Sequence, residues 1–200
     1  PGQTCPLIVW FHGYGEGGDD NVAQLRWLEL IFTEPQEPER YHFFLFAMQC
    51  PNGNREWFQQ YASTAASSSD SGDESITTAR NIVNDLSIKF PIDKNRIYLA
   101  GVSSGASGCW EMAMRNPELF AAILPIASSG GDVKRVGRLI RVPVWSFTSM
   151  SDPLQQRQAA QKLVHELAAR GGVCEHTEID NITHDCWTAA FEEYDVLDWL

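Results

Sequence analysis

The sequence predicts an α/β protein, a three-layer α/β/α sandwich built around a mostly parallel sheet of about six strands. Two observations predict this class. Short apolar runs alternate with longer amphipathic segments along the whole chain, which is typical of strands joined by crossover helices. Several of these runs are also nearly continuous in apolar residues, as expected for strands that helices cover on both faces. The 200 residues suit a single domain, residues 1–200, with a sizeable core.

Six apolar runs are the candidate strands. They cover residues 6–12, 42–48, 96–101, 121–126, 143–148 and 174–179. Segments with apolar residues at helical spacing lie between them. These candidate helices cover residues 20–32, 74–90, 104–115, 154–170 and 186–200. Because residues 6–12 read PLIVWFH and have two neighbouring runs to pair with, we expect this strand in the middle of the sheet.

Composition excludes several classes of partner. Fifteen basic and twenty-six acidic residues give a net charge of −11, which argues against nucleic acid and anionic membrane surfaces. No apolar run approaches the roughly 20 residues that a membrane-spanning helix needs. The five cysteines show no C-x-x-C spacing, and their odd number leaves at least one thiol free. Buried, apolar cysteines are therefore favoured over a disulfide framework.

The segment GVSSG, residues 101–105, joins a candidate strand to a candidate helix. This G-x-S-x-G pattern in a strand-turn-helix context is typical of a nucleophile elbow, where a sharp turn exposes the central serine. The alternative, a glycine-rich turn without chemistry, does not require glycine on both sides of one serine. The pattern identifies Ser103 as the candidate nucleophile and leaves Ser104 and Ser107 as structural residues.

A serine nucleophile needs a base, and His184 is the candidate. It lies in a loop after the last candidate strand, in NITHDCW, where side chains reach the carboxyl edge of a parallel sheet. The other four histidines lie within or at the ends of candidate strands or within a helix. A loop histidine that caps the final helix is the alternative reading of His184.

The acid that orients the base is expected to be Asp152, in the loop SMSDP after residues 143–148. Asp132 follows the preceding candidate strand and is the main competitor. Asp185 is poorly placed because it adjoins His184 in sequence. The chain order of Ser103, Asp152 and His184 is the order of nucleophile, acid and base in α/β-hydrolases.

An oxyanion hole is expected from two backbone N–H groups. Ser104 follows the nucleophile and opens a helix, so its N–H points toward a reacting carbonyl. The second donor is expected from FHGYGEGGDD, residues 11–20, where a strand ends in a glycine-rich turn. Within that turn the Tyr14 amide is our choice. We expect the Tyr14 and Ser104 amides to converge at about 3 Å from one point.

These stretches together resemble the α/β-hydrolase superfamily, in its phospholipase/carboxylesterase, prolyl-oligopeptidase-like and polyhydroxybutyrate-depolymerase-like esterase branch. The matching segments span nearly the whole chain; they are PLIVWFHGYGEGGDDN, QCPNGNREWF, DKNRIYLAGVSSGASGCWEMAMRNPELFAAILPIASSG, VPVWSFTSMSDP and ITHDCWTAAF. The resemblance implies Ser103 as nucleophile, Asp152 as acid, His184 as base, and the Tyr14 and Ser104 amides as oxyanion donors.

The sequence departs from the family pattern in three places. Ser104 stands where these esterases more often carry Met or Gln, and TSMSD lacks a glycine common before the acid. The first strand corresponds to a central strand of the family, so two further N-terminal strands are expected to precede this sequence.

The short connection over residues 127–142 leaves no room for a large cap domain.

The sequence therefore predicts a serine hydrolase that cleaves small-molecule carboxylic esters through an acyl-enzyme, with no metal or cofactor. Trp57, Phe58 and Trp187 are candidates for an acyl or aryl pocket, with the packed core as an equal alternative. Two other functions stay open. A peptidase of prolyl-oligopeptidase type shares this site, and a non-catalytic binding protein shares this fold.

Overall fold

The computed structural model describes residues 4–28, 41–51, 57, 71–180 and 183–200. Six parallel strands form one sheet in the order β2-β1-β3-β4-β5-β6. The strands are β1 Cys5–Phe11, β2 Phe44–Met48, β3 Ile92–Val102, β4 Ala122–Ile126, β5 Val144–Ser149 and β6 Cys174–Ile179. The described residues also form the helices α1 Ser71–Lys89, α2 Ser104–Arg115, α3 Leu154–Ala169, α4 Trp187–Glu193 and α5 Val196–Trp199.

Strand β1 lies inside the sheet, as its apolar sequence predicts. Val9 is in register with Phe46 of β2 on one side and with Leu99 of β3 on the other. Its last five residues, from Leu7, are buried. Neighbours on both edges and helices on both faces leave no place for a polar side chain, which is why this strand is apolar at every position.

Helices cover both faces of the sheet and complete the three predicted layers. One core cluster joins the odd-numbered β1 residues Leu7, Val9 and Phe11 to α1, α2 and α3. The other joins Ile8 and Trp10 to the segment ending at Leu28 and to α4 and α5. Because successive side chains of a strand point to opposite faces, β1 contributes to both cores.

The two largest differences from the predicted elements lie at the start of β3 and in the final helix. Strand β3 begins at Ile92 rather than at residue 96. The residues that follow Ile92 are polar, so a search for apolar runs finds only the later part of this strand. The predicted final helix over residues 186–200 is interrupted at Asp195, whose φ of 48° is left-handed and ends α4 before α5 begins.

The helix predicted over residues 20–32 begins as a 3-10 turn at Ala23–Leu25 and continues helically over residues 26–28. Its remaining predicted residues lie outside the described ranges.

All five cysteines are free thiols, and three of them, Cys50, Cys109 and Cys186, are buried. The prediction of buried, apolar cysteines therefore holds for these three, whereas Cys5 and Cys174 are half-buried. Burial raises the pKa of Cys50 and of Cys186 to about 12, so neither is a thiolate near neutral pH. None of the helices within the described ranges is long and apolar enough to cross a membrane.

Candidate active site

Ser103 is the single residue between β3, which ends at Val102, and α2, which begins at Ser104. Its backbone has φ 55° and ψ −118°, a region that side-chain-bearing residues rarely adopt. The Ser103 N–H donates a hydrogen bond of 2.9 Å to the carbonyl of Ile126 in the adjacent β4. Strain of this kind costs roughly 1–3 kcal/mol and persists only where the surrounding structure holds it.

The glycines on both sides of Ser103 allow the turn to be this tight. A Cβ added at Gly105 would lie 2.1 Å from the carbonyl oxygen of Phe11, because α2 crosses the end of β1 at backbone contact. A Cβ at Gly101 would lie 2.8 Å from the Gly105 carbonyl oxygen and from Cys109 Sγ. Both positions therefore exclude any larger residue, and this is the physical basis of the G-x-S-x-G pattern.

The structure brings Ser103, His184 and Asp152 together at the carboxyl edge of the sheet. His184 Nε2 lies 2.9 Å from Ser103 Oγ, and His184 Nδ1 lies 2.5 Å from Asp152 Oδ1. These contacts join the turn after β3 to the loops after β5 and β6. With Nδ1–H donating to the carboxylate, Nε2 is left as the acceptor of the serine hydroxyl proton.

The surroundings of His184 favour its protonated form. The hydrogen bond to Asp152 raises the pKa of His184 above its usual value, while partial burial opposes this and the nearby Asp185 adds a smaller increase. Asp152 is buried, with an exposed fraction of 6%, and its Oδ2 accepts a hydrogen bond of 3.2 Å from the Ser149 N–H. The arrangement is a half-exposed imidazole hydrogen-bonded to a buried carboxylate.

The competing acids have other partners. Asp132 accepts a hydrogen bond of 2.9 Å from Arg135 Nε and another from the Lys134 N–H. Desolvation opposes ionisation of Asp132, but these donors and their positive charges together lower its pKa. Asp185 Oδ1 accepts from the Thr188 hydroxyl in the first turn of α4. Of the three candidate carboxylates, only Asp152 is hydrogen-bonded to His184 in the structure.

The turn after β1 lies against Ser103. A Cβ added at Gly13 would be 3.5 Å from Ser103 Cβ, and a 3-10 turn, Tyr14–Glu16, follows directly. Ser104 opens α2, and the first N–H groups of a helix have no carbonyl partner within it. The roles of the Tyr14 and Ser104 amides as oxyanion donors stay predictions.

The three predicted pocket residues differ in placement. Trp57 has no exposed surface: it stacks on Phe11 with ring centroids 3.8 Å apart and donates from Nε1 to the carbonyl of His12. It is therefore a core residue that supports the turn after β1, the alternative that the sequence left open. Trp187 is 5% exposed and contacts the His184 ring edge-on, with centroids 5.6 Å apart. Phe58 lies outside the described residues.

Ser149 was missed by the sequence reasoning. Its N–H donates to Asp152, and its hydroxyl donates a hydrogen bond of 2.7 Å to the carbonyl of Thr183, which precedes His184. One residue at the end of β5 thus contacts both the loop that carries Asp152 and the loop that carries His184. A serine at a strand end has no distinctive sequence signal, because serines are common in turns.

Glu16 was also missed. Its carboxylate accepts a hydrogen bond of 2.6 Å from the Gly13 N–H, as the glutamate of a capping box does, although Gly13 has no side chain to make the reciprocal bond. The sequence signal was incomplete, since Glu16 has the capping-box spacing but Gly13 stands where the motif has a serine or threonine.

A serine, a histidine and a carboxylate in contact at the carboxyl edge of a parallel sheet, with the serine on a strained strand-to-helix turn, define the α/β-hydrolase class. Within that class the chain belongs to the esterase PHB depolymerase family, which it matches over residues 2–192.

Known relatives agree with this family. The poly(3-hydroxyalkanoate) depolymerase C of Paucimonas lemoignei is 26% identical over 162 residues, which are 78% of this chain and 34% of that protein. A thermostable esterase of known crystal structure is 31% identical with a TM-score of 0.88, covering 100% of this chain and 55% of that one. The chain thus spans about a third of the depolymerase and just over half of the esterase.

Arabidopsis thaliana SOBER1 shares the fold at lower identity. Its crystal structure superposes with a TM-score of 0.70 at 15% identity, over 97% of this chain and 96% of that one.

Proposed function

We propose that this chain is a serine hydrolase that cleaves carboxylic esters through an acyl-enzyme intermediate. The observation that carries the proposal is the His184 imidazole, hydrogen-bonded at Nε2 to Ser103 and at Nδ1 to Asp152. Membership of the esterase PHB depolymerase family supports the ester bond as the bond that is cleaved. The names of the relatives, an esterase and a polyester depolymerase, support the same substrate class.

Acylation begins when Ser103 Oγ attacks the ester carbonyl carbon and His184 Nε2 takes the hydroxyl proton. The imidazolium that forms is stabilised by Asp152, which also keeps the ring in the required orientation. The negative charge that develops on the carbonyl oxygen is stabilised by the Tyr14 and Ser104 N–H groups. Removing one such donor typically costs about 10²–10³ in rate.

The tetrahedral intermediate collapses when the carbon–oxygen bond to the alcohol breaks. The proton on His184 Nε2 passes to the leaving alkoxide oxygen, so the alcohol departs neutral and the acyl group stays on Ser103. Water then attacks the acyl carbon, gives its proton to His184, and repeats the sequence with Ser103 as the leaving group. The products are a carboxylic acid, an alcohol and the free enzyme.

A substrate panel tests the proposal. We expect hydrolysis of p-nitrophenyl esters across several acyl lengths, and of hydroxycinnamoyl esters and short hydroxyalkanoate oligomers, with slower or no cleavage of matched amides. A fluorophosphonate probe should label the wild-type protein and not Ser103→Ala, which separates an enzyme from a binding protein. Faster cleavage of amides than of esters would favour a peptidase, and no labelling together with no hydrolysis would contradict the proposal.

The pH profile should show the raised pKa of His184. Only the neutral imidazole can accept the Ser103 proton, and the bond to Asp152 favours the protonated form. We therefore expect kcat/KM, measured between about pH 5 and pH 9, to rise with pH through a midpoint above the usual histidine value of 6.5. A midpoint at or below that value in the wild-type enzyme would contradict the assignment.

A further inference from the structure

Glu16 is a buried carboxylate that the reaction steps above do not use. Its exposed fraction is 9%, and each of its two carboxylate oxygens accepts a hydrogen bond. Oε2 accepts from the Gly13 N–H at 2.6 Å, and Oε1 accepts from Trp27 Nε1–H at 3.2 Å. Burying a carboxylate is costly unless hydrogen-bond donors compensate for the lost water. The two donors meet this cost, and the question is what the buried carboxylate does in the turn.

The carboxylate removes one candidate donor from the site. Because Glu16 Oε2 accepts the Gly13 N–H, that amide is not available to a substrate, although Gly13 lies against Ser103. The next N–H in the turn belongs to Tyr14.

The direction of the Tyr14 N–H is set by the carbonyl of Gly13, since both belong to the same planar peptide unit. In a trans peptide the N–H points opposite to the C=O, so groups that bind the oxygen also orient the hydrogen. The Gly13 oxygen accepts from the Glu16 N–H at 3.2 Å and is contacted by His12 Nδ1 at 2.6 Å.

The His12 ring is itself oriented by the backbone of Cys50. The Cys50 N–H donates to His12 Nε2 at 2.9 Å, which leaves Nδ1 as the protonated nitrogen that donates to the Gly13 carbonyl.

Glu16 therefore holds both peptide units that flank Gly13. Its side chain binds the N–H of one unit and its main-chain N–H binds the C=O of the other. The Glu16 carbonyl in turn accepts from Gln49 Nε2 at 3.1 Å, which ties the turn to the chain after β2.

The second carboxylate oxygen connects the same turn to the base. The Trp27 indole that donates to Glu16 packs edge-on against Trp187, with ring centroids 5.0 Å apart. Trp187 contacts the His184 ring in the same manner. A path of packed side chains thus runs from the turn after β1 to the base.

From these contacts we infer that Glu16 is a positioning residue, whose carboxylate fixes the turn after β1 so that the Tyr14 N–H faces the reacting carbonyl. The inference rests on the proposed ester hydrolysis, because it concerns the oxyanion of that reaction. It goes beyond that proposal in assigning a role to a residue outside the Ser–His–Asp group.

The test is Glu16→Gln, which preserves size but replaces one acceptor oxygen by an NH₂ donor that cannot accept an N–H. We expect kcat on a soluble p-nitrophenyl ester to fall by about 10- to 100-fold while KM changes by less than about threefold. The affinity for a phenylboronic acid should fall by the same factor as kcat, because its tetrahedral adduct on Ser103 also uses the oxyanion donors. A purely structural role would not make these two losses equal.

Glu111→Gln is the matched control. Glu111 is also a buried carboxylate, on α2, and its partners are Arg115 and Arg135 rather than the turn after β1. We expect this variant to lower Tm while kcat and boronate affinity stay within about threefold of wild type. Equal losses of kcat in both variants would overturn the inference, as would Glu16→Gln with kcat and boronate affinity unchanged.

If Glu16→Gln does not fold, Trp27→Phe tests the same contact. It removes the indole N–H that donates to Glu16 Oε1 and shortens the ring that packs against Trp187, and we expect parallel losses of about three- to tenfold in kcat and boronate affinity. Unchanged values would overturn the inference. A wild-type protein that hydrolyses no ester would instead overturn the proposed function, and this inference with it.

Discussion

Replacing Ser103 by alanine is expected to lower kcat for ester hydrolysis by about 10⁶, which abolishes the activity in an ordinary assay. The reason is that Ser103 Oγ is the group hydrogen-bonded to His184 Nε2, so its loss removes both the nucleophile and the acyl acceptor. The measurement is kcat on an activated ester, with Tm recorded to show that the variant is folded. Full activity in a folded Ser103→Ala protein would refute the assignment.

The neighbouring serines are the controls for this experiment. Ser107 Oγ lies 3.1 Å from Ser129 Oγ, below the turn, and Ser104 Oγ is buried without a hydrogen-bond partner among the described residues. Neither hydroxyl is placed to attack a carbonyl at His184. We therefore expect Ser104→Ala and Ser107→Ala to retain most of the wild-type kcat.

Asp152→Asn is expected to lower kcat by about 10⁴, the second-largest effect. Asparagine is nearly isosteric with aspartate but is neutral and can present an N–H to the ring, which favours the wrong tautomer of His184. It also removes the hydrogen-bonded charge that raises the pKa of His184. The residual rate should therefore be measured across pH, where the midpoint of its acid limb should move down from that of wild type.

Asp132→Asn is the matched control, because Asp132 is the other acid that the sequence offered. Its carboxylate bonds Arg135 and the Lys134 backbone, not the base, so we expect only a mild change in kcat. If Asp132→Asn lost more activity than Asp152→Asn, the acid would have to be moved to the segment after β4.

The fold was predictable because each strand and helix has a characteristic pattern of apolar residues in its own segment of sequence. Strand β1 is apolar at nearly every position from Leu7 to Phe11, since helices cover both its faces and strands flank both its edges. The same argument failed at the start of β3, where polar residues follow Ile92, and at Asp195, where one left-handed residue breaks a helix that apolar spacing alone would continue.

Part of the candidate site could also be predicted from short segments of sequence. Gly101 and Gly105 surround Ser103 because backbone atoms and Cys109 Sγ occupy the positions where their Cβ atoms would stand, so the sequence itself shows the turn. The loop position of His184 after the last strand is also visible in the sequence. A candidate nucleophile and a candidate base could therefore be proposed from the sequence, and the structure places their side chains in contact.

Only the tertiary structure shows that Asp152 is the carboxylate in contact with His184, that Trp57 lies in the core, and which donors Glu16 binds. His184 lies 81 residues from Ser103 and 32 from Asp152, and Trp57 lies 45 residues from the His12 carbonyl that it binds. In a parallel sheet, strand ends that meet in space are separated by whole crossover segments. The periodicity of apolar residues indicates which face of each segment is buried. The contacts between loop side chains depend instead on strand order and register. Strand order and register are determined by the packing of the whole chain.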